Sequence, residues 1–460
     1  MTGNVTVLGA QGSTVTLKYD TEATFVLAKQ IAGAITTGVQ SGQLLAASDK
    51  NGPPPPLPPG KQGEYVQTKN GLVSLPHGYT SLVETAKQAV VFGSGDHGQM
   101  VLAGTKTDLT FISTGGSGTV VAGGDHNRIV IPGTGSGDWL ITTGKGDDVI
   151  QAMGGNNTIQ AGAGDNAIRL GSGRNVVESS GDDTITAIGG AVTIDASAAQ
   201  STMVFGGDAD LFFVGGNGGA TIYGGTGSDT YFGGLGGPSA RGHGDEDEDD
   251  DRGGHGRGDD DRGGCGDDDD RGNGNGHGND NGHGNNRDGA QLIHGGTGGN
   301  NYLFAGDGAA TLFGGGAGDQ LFTYGDHGQV LIASAGNTTL SGAFGSGNNK
   351  FVGGKGDDLV IGGTGKDTFV GGAGHDTVFA TDGGRDTFAF IRGQAGGEQV
   401  IQNVYDSSDV HIKLMNYGRN EAAYALASQS TDGASVSFSL SDGTKVTFEN
   451  ITSLSTRNFI

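Results

Sequence analysis

Residues 353–379 read GGKGDDLVI, GGTGKDTFV and GGAGHDTVF, three consecutive nine-residue segments that share one pattern. Each segment has glycine at positions 1, 2 and 4, aspartate at position 6 and a large apolar residue at position 8. A fourth, stretched copy follows, in which residues 383–388 read GGRDTF. Three adjacent matches to one pattern are not expected by chance, so this part of the chain is a repeat.

The same nine-residue period extends upstream in a less regular form. Large apolar residues recur every nine residues, with the last one residue early, at Ile150, Ile159, Ile168, Val177 and Ile185. A further series is Phe213, Ile222 and Tyr231, nine residues apart, and it resumes after an interruption at Tyr302, Leu312 and Leu321, with steps of ten and nine residues. A polar residue follows each member of the first series, and this alternation is typical of a half-buried strand.

The period predicts the fold class. Two nonapeptides make a coil of 18 residues, and the apolar position 8 of each coil would fill a thin core between two sheets. We therefore predict an all-β protein, a parallel β-roll or β-helix solenoid. A small N-terminal α+β segment should precede the solenoid and a small β-rich module should follow it.

Composition excludes several other classes. The chain has 460 residues with 96 glycines, 33% hydrophobic residues and a net charge of −25. Such an acidic balance argues against nucleic acid as a partner, because nucleic-acid binding needs a positive surface. No stretch is long and apolar enough to predict a membrane-spanning helix. The N-terminus also lacks the basic and apolar regions of a cleaved signal peptide.

Changes in composition along the chain predict seven segments. The first contains a predicted hairpin over residues 1–20 and a helix with Phe25, Ala28, Ile31, Ala32 and Ile35 on one face. A proline run follows, and an acidic insert with 16 acidic and 6 basic residues is expected to be disordered. The segments are 1–50 (α+β), 51–90 (Pro-rich linker and lead-in), 91–237 (degenerate repeats), 238–290 (insert), 291–352 (degenerate repeats), 353–390 (regular repeats) and 391–460 (C-terminal module).

The residue types at positions 1 to 6 suit a calcium ion. Ca²⁺ takes six to eight oxygen ligands and accepts backbone carbonyls as readily as carboxylates. Glycines let a loop turn its carbonyls towards one point, and one Asp per loop adds charge. Loops on one edge lie two repeats apart, which pairs Asp358 with Asp376 and Asp367 with Asp386. The candidate metal ligands in this region are those four aspartates and the loop residues Gly354, Gly356, Gly363, Gly365, Gly372 and Gly374; the degenerate repeats add Asp148, Asp229 and Asp319.

These motifs resemble those of the RTX (repeats-in-toxin, hemolysin-type calcium-binding) family, most closely over residues 353–390. The resemblance implies a parallel β-roll, Ca²⁺ in the loops and export by type I secretion machinery, which places the protein outside the cell or at its surface. In this family an uncleaved secretion signal lies near the C-terminus, and residues 440–451 are similar to the ends of such exported proteins. One departure is Asn157, Asn166 and Asn175 at position 6, where a neutral oxygen predicts weaker binding or none.

Two classes of function remain open at this point. We favour a non-enzymatic, secreted structural or adhesive protein, such as an adhesin or surface-layer component, with self-assembly or a cell-surface polysaccharide as the interaction. The alternative is a polysaccharide-modifying β-helix enzyme of the lyase or epimerase kind. Paired acids such as Asp147–Asp148 could serve such an enzyme, but a repeat that places an acid every nine residues explains them without catalysis. No catalytic residue is predicted.

Overall fold

The computed structural model describes residues 2–134, 136–234, 290–381 and 385–460. Within these ranges the regular elements are strands apart from two α-helices and four short 3-10 turns. The N-terminal elements and first coils are β1 Gly3–Leu8, β2 Thr14–Tyr19, α1 Glu22–Gln40, β3 Leu44–Ser48, β4 Gln62–Gln67, β5 Gly71–Ser74, β6 Tyr79–Glu84, β7 Gln88–Phe92, β8 Gln99–Ala103, β9 Asp108–Ile112, β10 Gly116–Ala122, β11 Arg128–Ile131 and β12 Ser136–Thr143.

The strands continue on both sides of the predicted insert. Before it lie β13 Val149–Ala152, β14 Thr158–Gln160, β15 Ala167–Leu170, β16 Arg174–Glu178, β17 Asp182–Ala187, β18 Ala191–Ala196, β19 Ser201–Phe205, β20 Asp210–Gly215, β21 Gly219–Tyr223 and β22 Thr230–Phe232. After it lie β23 Gln291–His294, β24 Tyr302–Phe304, β25 Ala310–Phe313, β26 Gln320–Gly325, β27 Val330–Ile332, β28 Thr339–Gly345, β29 Lys350–Val352, β30 Leu359–Ile361, β31 Thr368–Val370, β32 Ala373–Phe379, β33 Thr387–Ile391, β34 Gly396–Gln402 and β35 His411–Met415. The C-terminal module has α2 Glu421–Ala427, β36 Ser430–Thr431, β37 Ser435–Ser439 and β38 Lys445–Glu449.

Odd and even strands form two parallel sheets, which we call the odd sheet and the even sheet. The odd sheet runs in order from β5 to β35 and has 16 strands. From β4 to β34 each strand of the even sheet pairs in parallel with the strand two elements on, as β14 does with β16 and β30 with β32. At the ends of this sheet β3 pairs with β4 and β38 with β34. The register advances by one coil of 18 residues, for example from Ile150 to Ile168. The predicted parallel β-solenoid is therefore confirmed.

The core is the column of position-8 side chains between the sheets. Ile150, Ile159 and Ile168 are at most 2% exposed, and Val360, Phe369, Val378 and Phe388 at most 6%. The sequence-based placement of Tyr302 in this column is wrong, because Tyr302 is 42% exposed and Leu303, which pairs in register with Leu321, is fully buried instead. Phe351, Phe369 and Phe388 stack in successive coils with ring centroids 5.4 Å apart. One large residue per nonapeptide is thus enough to fill the interior, because neighbouring coils bury it from both sides.

The N-terminal hairpin and helix have the predicted form. Strands β1 and β2 are antiparallel, and α1 buries Ala28, Ile31, Ala32 and Ile35, while Phe25 is only partly buried. This helix packs on the outer face of the first even strands, where its side chains meet Val66, Val83, Leu102 and Val121. Gly38 permits this contact, since a Cβ there would come within 2.6 Å of Leu44 Cδ1.

The start of the solenoid differs from the sequence-based boundary at residue 91. Strands β4 to β7 already stack as coils within residues 62–92, and β3 pairs with β4. The proline run is also no free spacer. Tyr79 Oη donates to the carbonyl of Pro55 at 2.7 Å, and Leu57 packs against the core. The degenerate first coils lack the glycine pattern, which is why their sequence did not reveal them.

The predicted acidic insert lies outside the described residues apart from Ala290. The strands that flank it stack directly on each other, because β21 pairs with β23 and β22 with β24. The coil that ends at residue 234 and the coil that begins at residue 290 are therefore stacked as neighbouring coils.

Deleting residues 238–290 should leave the solenoid intact. Joining Gly237 to Gln291 leaves residues 233–237 between β22 and β23, and the next coil has the same five-residue connection at residues 305–309. We expect the calcium-bound melting temperature of the deletion variant to stay within about 4 °C of the full chain, less than a 1 kcal/mol change produces in a small domain. A much larger loss, measured by calorimetry, would mean that the insert packs against the coils.

Candidate metal centre

The predicted aspartates lie buried at the turns between the two sheets. Asp148, Asp229, Asp319, Asp358, Asp367, Asp376 and Asp386 are each at most 5% exposed. Residues of the same edge stack from coil to coil, as the sequence predicted for the regular repeats. The backbone N–H of Asp358 donates to Asp376 Oδ1 at 2.9 Å, and that of Asp367 donates to Asp386 Oδ1 at 2.9 Å.

The second carboxylate oxygen is turned into its own loop. Asp358 Oδ2 accepts from the N–H of Gly354 at 3.1 Å, and Asp367 Oδ2 accepts from Gly363 at 2.8 Å. Asp319 Oδ2 accepts from Gly315 and Gly316 in the same way. Asp319, Asp358 and Asp367 therefore each tie one coil to the previous one and close their own turn.

The loop glycines are required by close packing of coil on coil. A Cβ on Gly354 would collide with the carbonyl oxygen of Ser334, and a Cβ on Gly374, whose φ is +140°, would collide with that of Gly356. Gly363, Gly365 and Gly372 likewise face a carbonyl oxygen of the preceding coil. Successive turns thus place their backbone oxygens close together, as a stacked cation site needs.

Oxygens without a partner indicate where an ion would fit. Asp148 Oδ2 and Asp229 Oδ2 are buried and make no hydrogen bond within the described residues. At Gly296 three oxygens converge, because a Cβ there would lie 2.5 Å from Asp229 Oδ2, 2.9 Å from Gly227 O and 3.0 Å from Gly225 O. The donor set is oxygen only, which suits Ca²⁺ and not a softer metal.

Burial makes these carboxylates hard to ionise without a cation. It raises the pKa of Asp148 and Asp386 to about 7, and that of Asp229 and Asp358 to about 6, despite opposing backbone hydrogen bonds. The same cause raises the pKa of Asp367 and Asp376. A bound dication would offset this desolvation, since an opposite charge nearby favours the ionised form.

Asparagine at position 6 makes the same hydrogen bonds between coils without burying a charge, so it needs no cation. Its Oδ1 accepts the inter-coil hydrogen bond, as when Asp148 N–H donates to Asn166 at 2.9 Å. Its Nδ2 donates to loop carbonyls, from Asn157 to Gly154 O at 3.1 Å and from Asn301 to Gly296 O at 2.6 Å. An amide hydrogen thus occupies oxygens that a cation would otherwise bind.

The sequence did not reveal every member of these columns. Asn301 and Asn349 lie 18 residues before Asp319 and Asp367, and that spacing was the available signal. Asn127 and Gln399 occupy the same columns at irregular spacings. Gln399 Nε2 donates to Asp376 Oδ2 at 2.6 Å, so it closes the column at the last regular coil.

The paired acids at positions 5 and 6 have different environments. Position 6 is buried, whereas exposed position-5 side chains form a second ladder on the turn surface. Asp147 Oδ1 accepts from Asp165 N–H at 2.9 Å, and Asp357 Oδ1 accepts from His375 N–H at 2.8 Å. This coil-to-coil role accounts for the pair Asp147–Asp148.

The fold and its turns define a parallel β-roll with stacked oxygen-rich loops. A family model of the RTX calcium-binding nonapeptide repeat matches residues 142–177, 295–330 and 345–378. These stretches are therefore RTX nonapeptide repeats, and calcium is the ion that this repeat family binds. Asp229 and Asp386 lie outside the matched stretches. No curated protein and no solved structure matches the chain.

Proposed function

We propose that this chain is a secreted calcium-binding β-roll with a structural or adhesive role rather than an enzymatic one. It would be exported by type I secretion machinery and fold at the cell surface or in the extracellular matrix when its loops bind calcium. The RTX repeats support export and calcium-dependent folding. No helix in the described part of the chain is long and apolar enough to cross a membrane.

Two columns of partly exposed aromatic side chains carry the proposal of an adhesive role. On the odd sheet Phe205, Tyr223, His294 and Phe313 stack with ring centroids 4.3–5.5 Å apart. On the even sheet Phe232, Phe304 and Phe322 stack at 4.9 and 4.5 Å. Exposed apolar surface arranged in a continuous strip is typical of an interaction site.

The strands that carry these columns have no charged side chain. Strands β21 to β28 and β30 contain no Asp, Glu, Lys or Arg, although the chain has 51 acidic residues. The rings stack on one another, so a partner meets their edges and not their faces. Stacking of sugar rings needs exposed aromatic faces, and we therefore favour a second copy of the chain over a polysaccharide on these strips.

Replacing Phe304 and Phe322 together by Thr should reduce self-association in calcium, because it removes two of the three stacked rings of the even-sheet column. The measurement is molar mass by sedimentation against concentration, with negative-stain imaging of the same samples. Val176→Thr is a matched control, since Val176 is 38% exposed on an earlier even strand that carries charges. A wild-type chain that stays monomeric at all concentrations would contradict self-assembly.

We further propose that the position-6 aspartates and loop carbonyls are the calcium ligands. Asp367→Ala should lower the calcium stoichiometry measured by titration calorimetry. Asp367→Asn should lower it as well but preserve the fold, because Asn349 already occupies this column. Asn166→Ala should leave the stoichiometry unchanged while lowering thermal stability, since Asn166 Nδ2 donates to Asp183 Oδ1 at 2.8 Å. Equal stoichiometric effects of Asp367→Ala and Asn166→Ala would contradict the assignment.

A further inference from the structure

A cleft lined by two lysines lies where the N-terminal hairpin meets the first coils, far along the chain from the regular repeats. It has a volume of about 290 Å³. Side chains of Lys18 on β2 and of Lys106 in the turn after β8 line it, together with Asn4, Thr85, Thr105 and Thr107. This is near the lower end of the range for small-molecule sites.

Backbone contacts hold the two lysine-bearing segments together. Thr105 N–H donates to Lys18 O at 2.9 Å, and Thr107 N–H donates to Gly104 O at 3.0 Å. Gly104 makes the approach possible, because a Cβ there would lie 3.1 Å from Lys18 O. Lys18 and Lys106 are therefore fixed on neighbouring segments of ordered structure and do not sit on separate mobile loops.

The charge of this cleft is opposite to that of the chain. No carboxylate lines it, and neither Lys18 nor Lys106 forms an ion pair with any residue that the structure describes. Lys445, by contrast, forms an ion pair in which its Nζ lies 2.7 Å from Glu398 Oε1. Lysines on neighbouring segments repel each other, and these two have no ion-pair partner among the described residues although the chain has a net charge of −25.

The remaining lining supplies hydrogen bonds for a hydroxylated ligand. Thr105 and Thr107 contribute hydroxyls and Asn4 an amide, and within the described residues their side chains make no hydrogen bond to the protein. Thr107, which is 1% exposed, and buried Leu17 also line the cleft. Ammonium groups together with neutral donors and acceptors suit an oxyanion on a small polyol.

We propose that this cleft binds a small hydroxylated oxyanion, such as an acidic sugar or a sugar phosphate. Lys18 and Lys106 would bind the anionic group, and Asn4, Thr105 and Thr107 the hydroxyls. The site is separate from the calcium loops and from the aromatic columns. It does not depend on the structural or adhesive role proposed above.

Titration calorimetry with the calcium-loaded full chain tests this site, with galacturonate, galactose 1-phosphate and galactose as probes. We expect either acidic probe to bind and galactose not to bind, and the acid that binds identifies whether the oxyanion is a carboxylate or a phosphate. Lys18→Gln combined with Lys106→Gln should weaken that binding about tenfold or more, since it removes both charge-assisted hydrogen bonds.

The matched control is Lys29→Gln on α1, an exposed lysine outside the cleft. It should leave the affinity unchanged, and the melting temperature in calcium should be the same for all three proteins. Equal binding of galactose and the two acids, no binding of any probe, or equal loss in both lysine variants would overturn the proposal.

Discussion

In EDTA the full chain should lose most of its β structure over residues 291–460, and millimolar calcium should restore it cooperatively. The regular loops bury one carboxylate per nonapeptide, and burial raises the pKa of Asp358 to about 6 and of Asp386 to about 7. Ionised at neutral pH and without a cation, these groups oppose folding. A ligand that binds only the folded state adds RT ln(1 + [L]/Kd) per site, and stacked sites share loops.

Far-UV circular dichroism measures the total change, and hydrogen exchange on the full chain locates it. Residues 353–390 should exchange rapidly in EDTA and become protected in calcium, whereas residues 154–178 should retain more protection in EDTA. The reason is that Asn157 supplies N–H donors to its own loop carbonyls. Magnesium should substitute poorly because it requires a small octahedral site. An identical β signal in EDTA and calcium would contradict calcium-gated folding.

The Glu84→Gln variant should be more stable than the wild type at neutral pH, by roughly 1–3 kcal/mol. Glu84 is fully buried, pairs in register with Gln67, and neither of its carboxyl oxygens has a hydrogen-bond partner within the described chain. Burial, with a contribution from the charge of Asp49, raises its pKa from 4.5 to about 9. The fold therefore holds a proton that the unfolded chain has lost, so this group destabilises the fold increasingly as the pH rises from 4.5 to 9.

Chemical unfolding in saturating calcium between pH 5 and pH 9 measures this effect, because calcium keeps the loop carboxylates ionised throughout. The wild type should lose stability as the pH rises, and Glu84→Gln should flatten that slope. Glu64→Gln should also flatten the loss of stability with pH, but over a narrower pH interval, since burial raises the pKa of Glu64 only to about 8. Exposed Glu178→Gln is the control and should leave the slope unchanged. A steeper slope in Glu84→Gln would contradict this account.

Much of the candidate metal centre could be predicted from the nine-residue period. The stacking of Asp358 on Asp376 follows once a coil is two nonapeptides long, because parallel coils bring residues 18 apart to the same place. The role of asparagine could not be predicted in the same way. Whether Asn157 is a weak ligand or a substitute for the ion depends on where its Nδ2 points, and only the loop geometry decides that.

The repeat by itself determined the fold class, the core residues and the columns of aspartates, because each depends on local periodicity. Tertiary structure decided what depends on contacts between distant segments. The solenoid starts at β3 and β4, where coils without the repeated glycine pattern keep the register through packing, and the proline run lies against Tyr79. Lys18 and Lys106 meet only because the hairpin folds back onto the turn after β8, and no periodicity relates residues at that separation.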